Sequence, residues 1–208
     1  MFSSKFKTIF NEWDAKLKNK GWGSIFLGNH DFSRMVSRFG NDKSYIIPSA
    51  KLLAMLLCTL RGTVYIYQGD EIGMTNVAYP SINDYNDVET LGNWKEAKAQ
   101  SKNMKDFLKI VHKQSRDNAR TPMQWNSKKN AGFSNGTPWL KVNPNHSIIN
   151  VEAQENNEDS ILNFYRKMIT FRKENEVMVY GDYACLNEAD KNLYIYKRWN
   201  AEKTFIIL

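Results

Sequence analysis

The stretch Ser24-Ile25-Phe26-Leu27-Gly28-Asn29-His30-Asp31 passes directly from a short apolar run to three polar residues. A run this short and this continuous in apolar side chains predicts a strand over residues 24–28, buried on both faces. A second such run, Val64-Tyr65-Ile66-Tyr67, ends in Gln68-Gly69-Asp70-Glu71. Between the two, Pro48 opens a helix over residues 48–60, because the first helical turn has no use for the N–H that proline lacks. Arg61-Gly62 closes that helix. Strand, helical crossover and strand make a βαβ unit, so the two strands are expected to run parallel with a right-handed connection.

The neighbouring segments extend this frame. Phe6, Ile9, Phe10, Trp13 and Leu17 repeat at helical spacing and predict an amphipathic helix over residues 5–20, ended by Lys18-Asn19-Lys20-Gly21. After residue 70 comes a long stretch to about 158 with one predicted helix, near 95–113; loops of that length within a domain usually carry function. Helical period returns over residues 160–174, capped by Asp159-Ser160. From Val177 the texture becomes short β-rich runs, 183–186, 193–199 and 204–208, separated by turn residues, which predicts antiparallel sheet. A domain boundary is expected near residue 176. Two parallel strands alone would leave both outer edges unpaired, and a whole β/α barrel needs about 250 residues. The chain reads as a piece of a longer protein.

Composition narrows the class. The 208 residues are 42% hydrophobic and 25% charged, with 5 Pro and 11 Gly, which excludes a disordered or collagenous chain. The net charge of +7 raises nucleic acid or an anionic membrane as partners. However, the densest basic stretch (Lys95, Lys98, Lys102, Lys105, Lys109, Lys113) has the spacing of a solvated helix face, and no nucleic-acid-binding motif accompanies it. Cys58 lies inside an apolar run and reads as a small core residue in a reducing compartment; with Cys185 it makes no metal-ligand spacing. Met1-Phe2-Ser3-Ser4-Lys5 leads into the first helix without the apolar core of a signal peptide, and the run 52–60 falls short of the roughly 20 residues a spanning helix needs. A cytoplasmic protein with no metal, no cofactor, no nucleic-acid partner and no membrane partner is expected.

In parallel α/β folds the reactive side chains stand just past the carboxyl ends of the strands. His30-Asp31 and Gln68 to Glu71 occupy those places. On residue type alone, Asn29-His30-Asp31 serves equally as a loop whose polar groups satisfy backbone amides. Asp70 and Glu71 look like a catalytic pair, but adjacent residues on an extended segment point opposite ways, so anchoring the loop is the expected role.

The ensemble decides between these readings. Asn29-His30-Asp31, then Val36-Ser37-Arg38-Phe39-Gly40-Asn41-Asp42, then Gly62 through Asn76 resemble the α-amylase family of glycoside hydrolases. Arg116-Asp117-Asn118-Ala119-Arg120-Thr121-Pro122-Met123-Gln124-Trp125, Asn130-Ala131-Gly132-Phe133 and the run from Trp139 to Pro144 are similar to its oligo-1,6-glucosidase and α-glucosidase group. The resemblance runs from about residue 5 to residue 208. It implies an α/β fold: strands seven and eight of a (β/α)8 TIM barrel over residues 1–176, then the truncated start of a C-terminal β-sandwich domain over 177–208.

The chemistry it implies is retaining cleavage or transfer at an α-glucosidic bond of short gluco-oligosaccharides, with one carboxylate attacking and a second donating a proton. By resemblance Asp31 is the third carboxylate, which stabilises the transition state through two sugar hydroxyls. His30 donates to the same glucose, Arg116 grips the non-reducing end alongside an acidic residue from an early barrel loop, and Glu89 lies near the next sugar. Trp125, Phe133 and Trp139 could stack on sugars or pin their loops; His112 and His146 are expected to be solvated. Phe32-Ser33, Val64 and Asp70 depart from the group's usual Gln-Pro, Pro and Glu. Nucleophile and acid/base fall upstream of Met1 by this resemblance, so the partner most needed is the N-terminal part of the same barrel, and the chain alone is expected to be inactive. The alternatives are a non-catalytic barrel relative serving as a binding or scaffold protein and, on net charge alone, a nucleic-acid-binding domain.

Overall fold

The computed structural model describes residues 4–208; Met1 to Ser3, read above as part of a start without an apolar leader, lie outside the described residues. In chain order the elements are α1 (Ser4–Leu17), β1 (Ser24–Ile25), α2 (Met35–Phe39), α3 (Ile46–Thr59) and β2 (Thr63–Val64). Then come α4 (Val88–Ala99), α5 (Met104–Gln114), α6 (Asp117–Arg120), α7 (Val151–Glu155), α8 (Ile161–Glu174) and α9 (Glu176–Tyr180), before β3 (Asp182–Cys185), β4 (Tyr196–Trp199) and β5 (Thr204–Ile207). The chain divides into two compact units. One comprises residues 1–27, 51–65 and 164–208; the other comprises 28–50 and 66–163.

In the first unit β1 pairs parallel with β2, Ser24 opposite Thr63 and Ile25 opposite Val64, as the βαβ reading requires. The ladder is shorter than the apolar runs. Burial also alternates rather than filling both faces: Ile25 and Leu27 are buried, whereas Phe26 and Tyr65 are exposed. A strand with one neighbour and one covered face cannot bury every side chain of a continuous apolar run. β3, β4 and β5 form an antiparallel sheet in sequential order, with Asp182 opposite Trp199 and Tyr196 opposite Ile207.

Two arginines knit this unit, Arg198 buried and Arg172 half-buried. Arg198, 0% exposed, donates to the backbone carbonyls of Asp182, Thr59, Met178, Val177 and Gly181. Arg172 takes those of Cys58, Leu60, Met178 and Gly62. Carbonyls at helix ends have no partner within the helix, and a planar five-donor fork can satisfy several at once. Lys7 on α1 plays the same part for the loop after β3, donating to the carbonyls of Asn187, Asp190 and Leu193. Cys58 is buried and free, as expected, and burial pushes its thiol up to about 11.

In the second unit the stretch after β2 holds four helices, α4 to α7, where one was expected, and that expected helix is itself split into α4 and α5. α4 and α5 are separated at Gln100 to Asn103: Ser101 adopts φ 56°, and the Asn103 side chain caps α5 by accepting from the N–H groups of Lys105 and Asp106. The lysine spacing runs straight through this break, which is why it suggested one helix; all six lysines are exposed, as a solvated face should be. The two helices pack over Val77, Tyr79, Tyr85 and Val111, with Trp94 and Phe107 edge to face at 5.9 Å. A second cluster, Ile72, Met74, Met123 and Leu162, supports the turn after β2. Among the described residues no helix is long and apolar enough to cross a membrane, and no group of three or more His, Cys, Asp or Glu could hold a metal.

Candidate active site

The site assembles within the second unit from the loop 29–31, from α6 with the residue before it, and from the start of α4 with its cap. Asn29 shapes the first segment, its side-chain oxygen accepting from the Asp31 N–H at 2.8 Å. Asp31 is half exposed, and two arginines converge on its Oδ1: Arg120 Nη2 at 3.2 Å and Arg116 Nη1 at 3.6 Å. His30 Nε2 lies 3.4 Å from the other carboxylate oxygen. Arg116 and Arg120 stand one turn apart around α6, so both reach the same side.

Behind them is Asp87, which nothing in the sequence reading singled out. Its side chain is 2% exposed, and Oδ1 receives Arg116 Nε at 2.9 Å and Nη2 at 2.6 Å. Oδ2 caps α4, accepting from the Thr90 N–H at 3.1 Å and hydroxyl at 2.7 Å. Burial works against the charged carboxylate, but the hydrogen bonds from Arg116 and Thr90 together hold it below the usual carboxylate range. Buried Asp117 fixes the backbone in turn, Oδ2 accepting from the N–H groups of Asn86 at 2.7 Å and Asp87 at 2.9 Å. Asp117 thus fixes the Asp87 backbone, and ion pairs run from the Asp87 carboxylate through Arg116 and Arg120 to Asp31.

All four candidate residues come together. Glu89 Oε2 is 3.7 Å from Arg116 Nη2 on the exposed side. Within this chain the acid paired with Arg116 is Asp87, placed there as the N-terminal cap of α4. Arg120 was also missed; besides Asp31 it donates to the His30 carbonyl at 2.9 Å, fastening the loop on both sides of the His-Asp peptide. His112 is not simply solvated, since its Nε2 lies 2.8 Å from the Tyr79 carbonyl, and His146 Nδ1 lies 3.1 Å from that of Asn143. Trp125, Phe133 and Trp139 are roughly half exposed or more rather than tucked in as pins.

Beneath the loop, Asp70 and Glu71 serve as anchors. Glu71 accepts from the Gly69 N–H at 2.8 Å, and Asp70 from the Tyr67 N–H at 3.3 Å. A Cβ at Gly28 would stand 2.9 Å from Asp70 Oδ2, so the chain leaving β1 passes over this carboxyl only as glycine. Nearby Arg34, 1% exposed, ties the segments together through the carbonyls of Gln68 at 2.5 Å and Asn118 at 3.1 Å.

Burial pushes the Asp70 carboxyl up to about 7, against the pull of Arg34. A raised acid favours the protonated native state, so its contribution is fully present below the unfolded value near 4 and is lost as pH rises through about 7. Wild-type chain is therefore expected to lose a few kcal/mol of stability between pH 5 and 8, a loss that Asp70→Asn should flatten. Urea titrations at the two pH values check this, and identical pH responses in both proteins would clear Asp70 of the role.

Comparison with known proteins agrees with this architecture. Residues 1–181 match the catalytic domain of the α-amylase family. The chain is 45% identical over 203 residues to an oligo-1,6-glucosidase of Parageobacillus thermoglucosidasius, covering 97% of this chain and 36% of that protein. A glucan 1,6-α-glucosidase of Streptococcus pneumoniae is 45% identical, with 99% and 38% covered. A variant of isomaltulose synthase from Erwinia rhapontici NX5, solved with its natural substrate sucrose, superposes with a TM-score of 0.94 at 42% identity, covering 99% of this chain and 37% of that one. The chain thus spans little more than a third of the length of these relatives. Its sequence match and its superposition on solved enzymes place it in the α-amylase family of glycoside hydrolases, whose catalytic domain is a TIM barrel.

Proposed function

We propose that this chain is the part of a retaining α-glucosidase that holds the transition-state carboxylate and one side of the sugar grip. β1 and β2 would be the seventh and eighth barrel strands, and the β3–β5 sheet, beyond a boundary near residue 176, the start of the C-terminal β-domain. The substrate is an α-linked gluco-oligosaccharide; the nucleophile and proton donor come from polypeptide outside this chain. Alone, the 208 residues are expected to turn over no α-glucoside.

The observation that carries this reading is Asp31, half exposed and held from behind by Arg120 and Arg116. A carboxylate fixed in that way accepts hydroxyl hydrogen bonds that tighten as the sugar ring becomes cationic, and it need not reorganise to do so. His30 supplies a second polar edge to the same sugar, and Glu89 faces the next one. Arg116 acts on binding as well as on Asp31, because its guanidinium borders the open side.

The test is a chimera in which this chain replaces the matching segment of the Parageobacillus oligo-1,6-glucosidase. It is expected to hydrolyse a chromogenic α-glucoside. Arg116→Ala should raise KM by about tenfold and lower kcat as well, since the grip operates in both ground and transition states. An inactive but folded chimera would count against the assignment, as would an Arg116→Ala variant with unchanged KM.

A further inference from the structure

An Asn-Gly pair occurs once in the sequence, at Asn135-Gly136, in the irregular segment between Phe133 and Trp139. We infer that it is a self-modifying site: the Gly136 amide nitrogen closes on the Asn135 side chain, and the isoaspartate that results releases a backbone clamp made by Asn130. The site stands apart from the sugar chemistry proposed above.

Several features meet at the pair. Both residues are exposed and lie outside any helix or strand, so no hydrogen-bonded ladder holds their dihedrals. Among the described residues none hydrogen-bonds the Asn135 side chain. The other asparagines that precede a small residue are engaged: Asn118, Asn130 and Asn200 before alanines, and Asn126 before serine. Gly136 leaves room for the approach, since a Cβ there would meet nothing beyond its chain neighbours nearer than Ser134 Oγ at 3.7 Å. Its N–H donates to that same hydroxyl at 3.0 Å in an exposed bond. A surface hydroxyl trades protons with water, which gives the amide proton a way out.

Attack by the freed nitrogen on Asn135 Cγ expels the side-chain nitrogen as ammonia and closes a succinimide ring. Water then opens the ring at either carbonyl. One product is aspartate; in the other, isoaspartate, the main chain runs through Cβ and is longer by one carbon. That lengthening falls inside a clamp. Asn130 Nδ2 donates to the carbonyls of both Ser134, at 2.9 Å, and Gly136, at 2.7 Å. A single amide nitrogen reaches both only while the two carbonyls keep their spacing.

Full-length chain aged at mildly alkaline pH in water enriched in oxygen-18, then mapped by peptide mass spectrometry, tests the proposal. The peptide holding Asn135 is expected to take up heavy oxygen at least about tenfold faster than the one holding Asn126, and to yield both aspartate and isoaspartate. Gly136→Ala should slow that uptake by about tenfold, and Asn135→Gln should abolish it; both positions are exposed, so the fold survives either change. In nitrogen-15 spectra the Asn130 side-chain amide signals should move in the isoaspartate-bearing chain. They should stay in place in Asn135→Asp, which carries the same charge on an ordinary main chain. An Asn135 peptide that converts no faster than that of Asn126, or at the same rate in Gly136→Ala, overturns the site. Asn130 signals that stay unmoved once residue 135 has become isoaspartate overturn the clamp.

Discussion

In the chimeric enzyme Asp31→Asn is expected to lower kcat by about 10²–10³, equivalent to roughly 3–4 kcal/mol. Asparagine keeps the shape of the side chain and can still hydrogen-bond a hydroxyl, so ground-state binding largely survives. The charge is what goes. With it goes the interaction that strengthens as the ring turns cationic, and Arg116 and Arg120 are left facing a neutral amide. Steady-state kinetics on an α-glucoside should show kcat collapsing with KM within a factor of about three. A change in KM alone would reduce Asp31 to a loop residue, and its convergent arginines to a means of holding that loop.

The second large effect concerns stability. Arg198→Met removes a guanidinium that serves five carbonyls, four of them in buried bonds, contributed by the C-terminal end of α3, by α9, by Gly181 and by the start of β3. Among the described residues no carboxylate forms an ion pair with this arginine, although Asp14 acts on it from farther away; burial, with Arg172 adding to it, pulls it down to about 10. Its stabilising role is therefore hydrogen bonding rather than charge pairing. Leaving such carbonyls dry costs about 1–3 kcal/mol each before relaxation, so a loss of more than about 4 kcal/mol is expected. Amide hydrogen exchange should show β3 to β5 losing protection while α4 and α5 keep theirs. Arg198→Lys should not rescue, because three donors on one nitrogen cannot span the carbonyls that a planar fork reaches. Full stability in that variant would sink the argument.

The sequence was legible wherever one signal governed the outcome. Pro48 and Gly62 bracket α3, although the helix starts two residues earlier, at Ile46, with the proline still inside its first turn. Ser160 caps α8 as expected, its hydroxyl accepting from the Asn163 N–H at 3.1 Å. The pairing of β1 with β2 followed from two apolar runs joined by a helix. What escaped were features set by partners far along the chain. Strand length and burial depended on which faces find cover. The break between α4 and α5 carries neither Gly nor Pro, and only Asn103, a cap residue, marked it.

At the site, His30, Asp31 and Arg116 were singled out because each belongs to a motif, and Glu89 by resemblance on a less distinctive stretch. Asp87 and Arg120 were not, since one was an acid in a loop and the other a second arginine in a motif already used. Two local signals were available. Asp87 stands three residues before Thr90, the spacing of a helix cap, and Arg120 lies one turn from Arg116, hence on the same side.

Lys7 has a consequence for the order of events at the ribosome. The carbonyls that hold its ammonium belong to residues 180 to 186 positions later in the chain. At about 5–20 residues per second, synthesis separates the two by roughly 10–40 s. For that interval the apolar side of α1, with the Phe6 and Phe10 rings 4.7 Å apart, waits without Tyr194, against which Phe6 finally packs at 6.4 Å. All residues of the other unit lie at or before position 163 and are made in the meantime. Although α1 precedes every other element described, it is thus among the last to be seated, and a nascent chain stalled before residue 187 would present that helix to any chaperone that recognises exposed aromatic side chains.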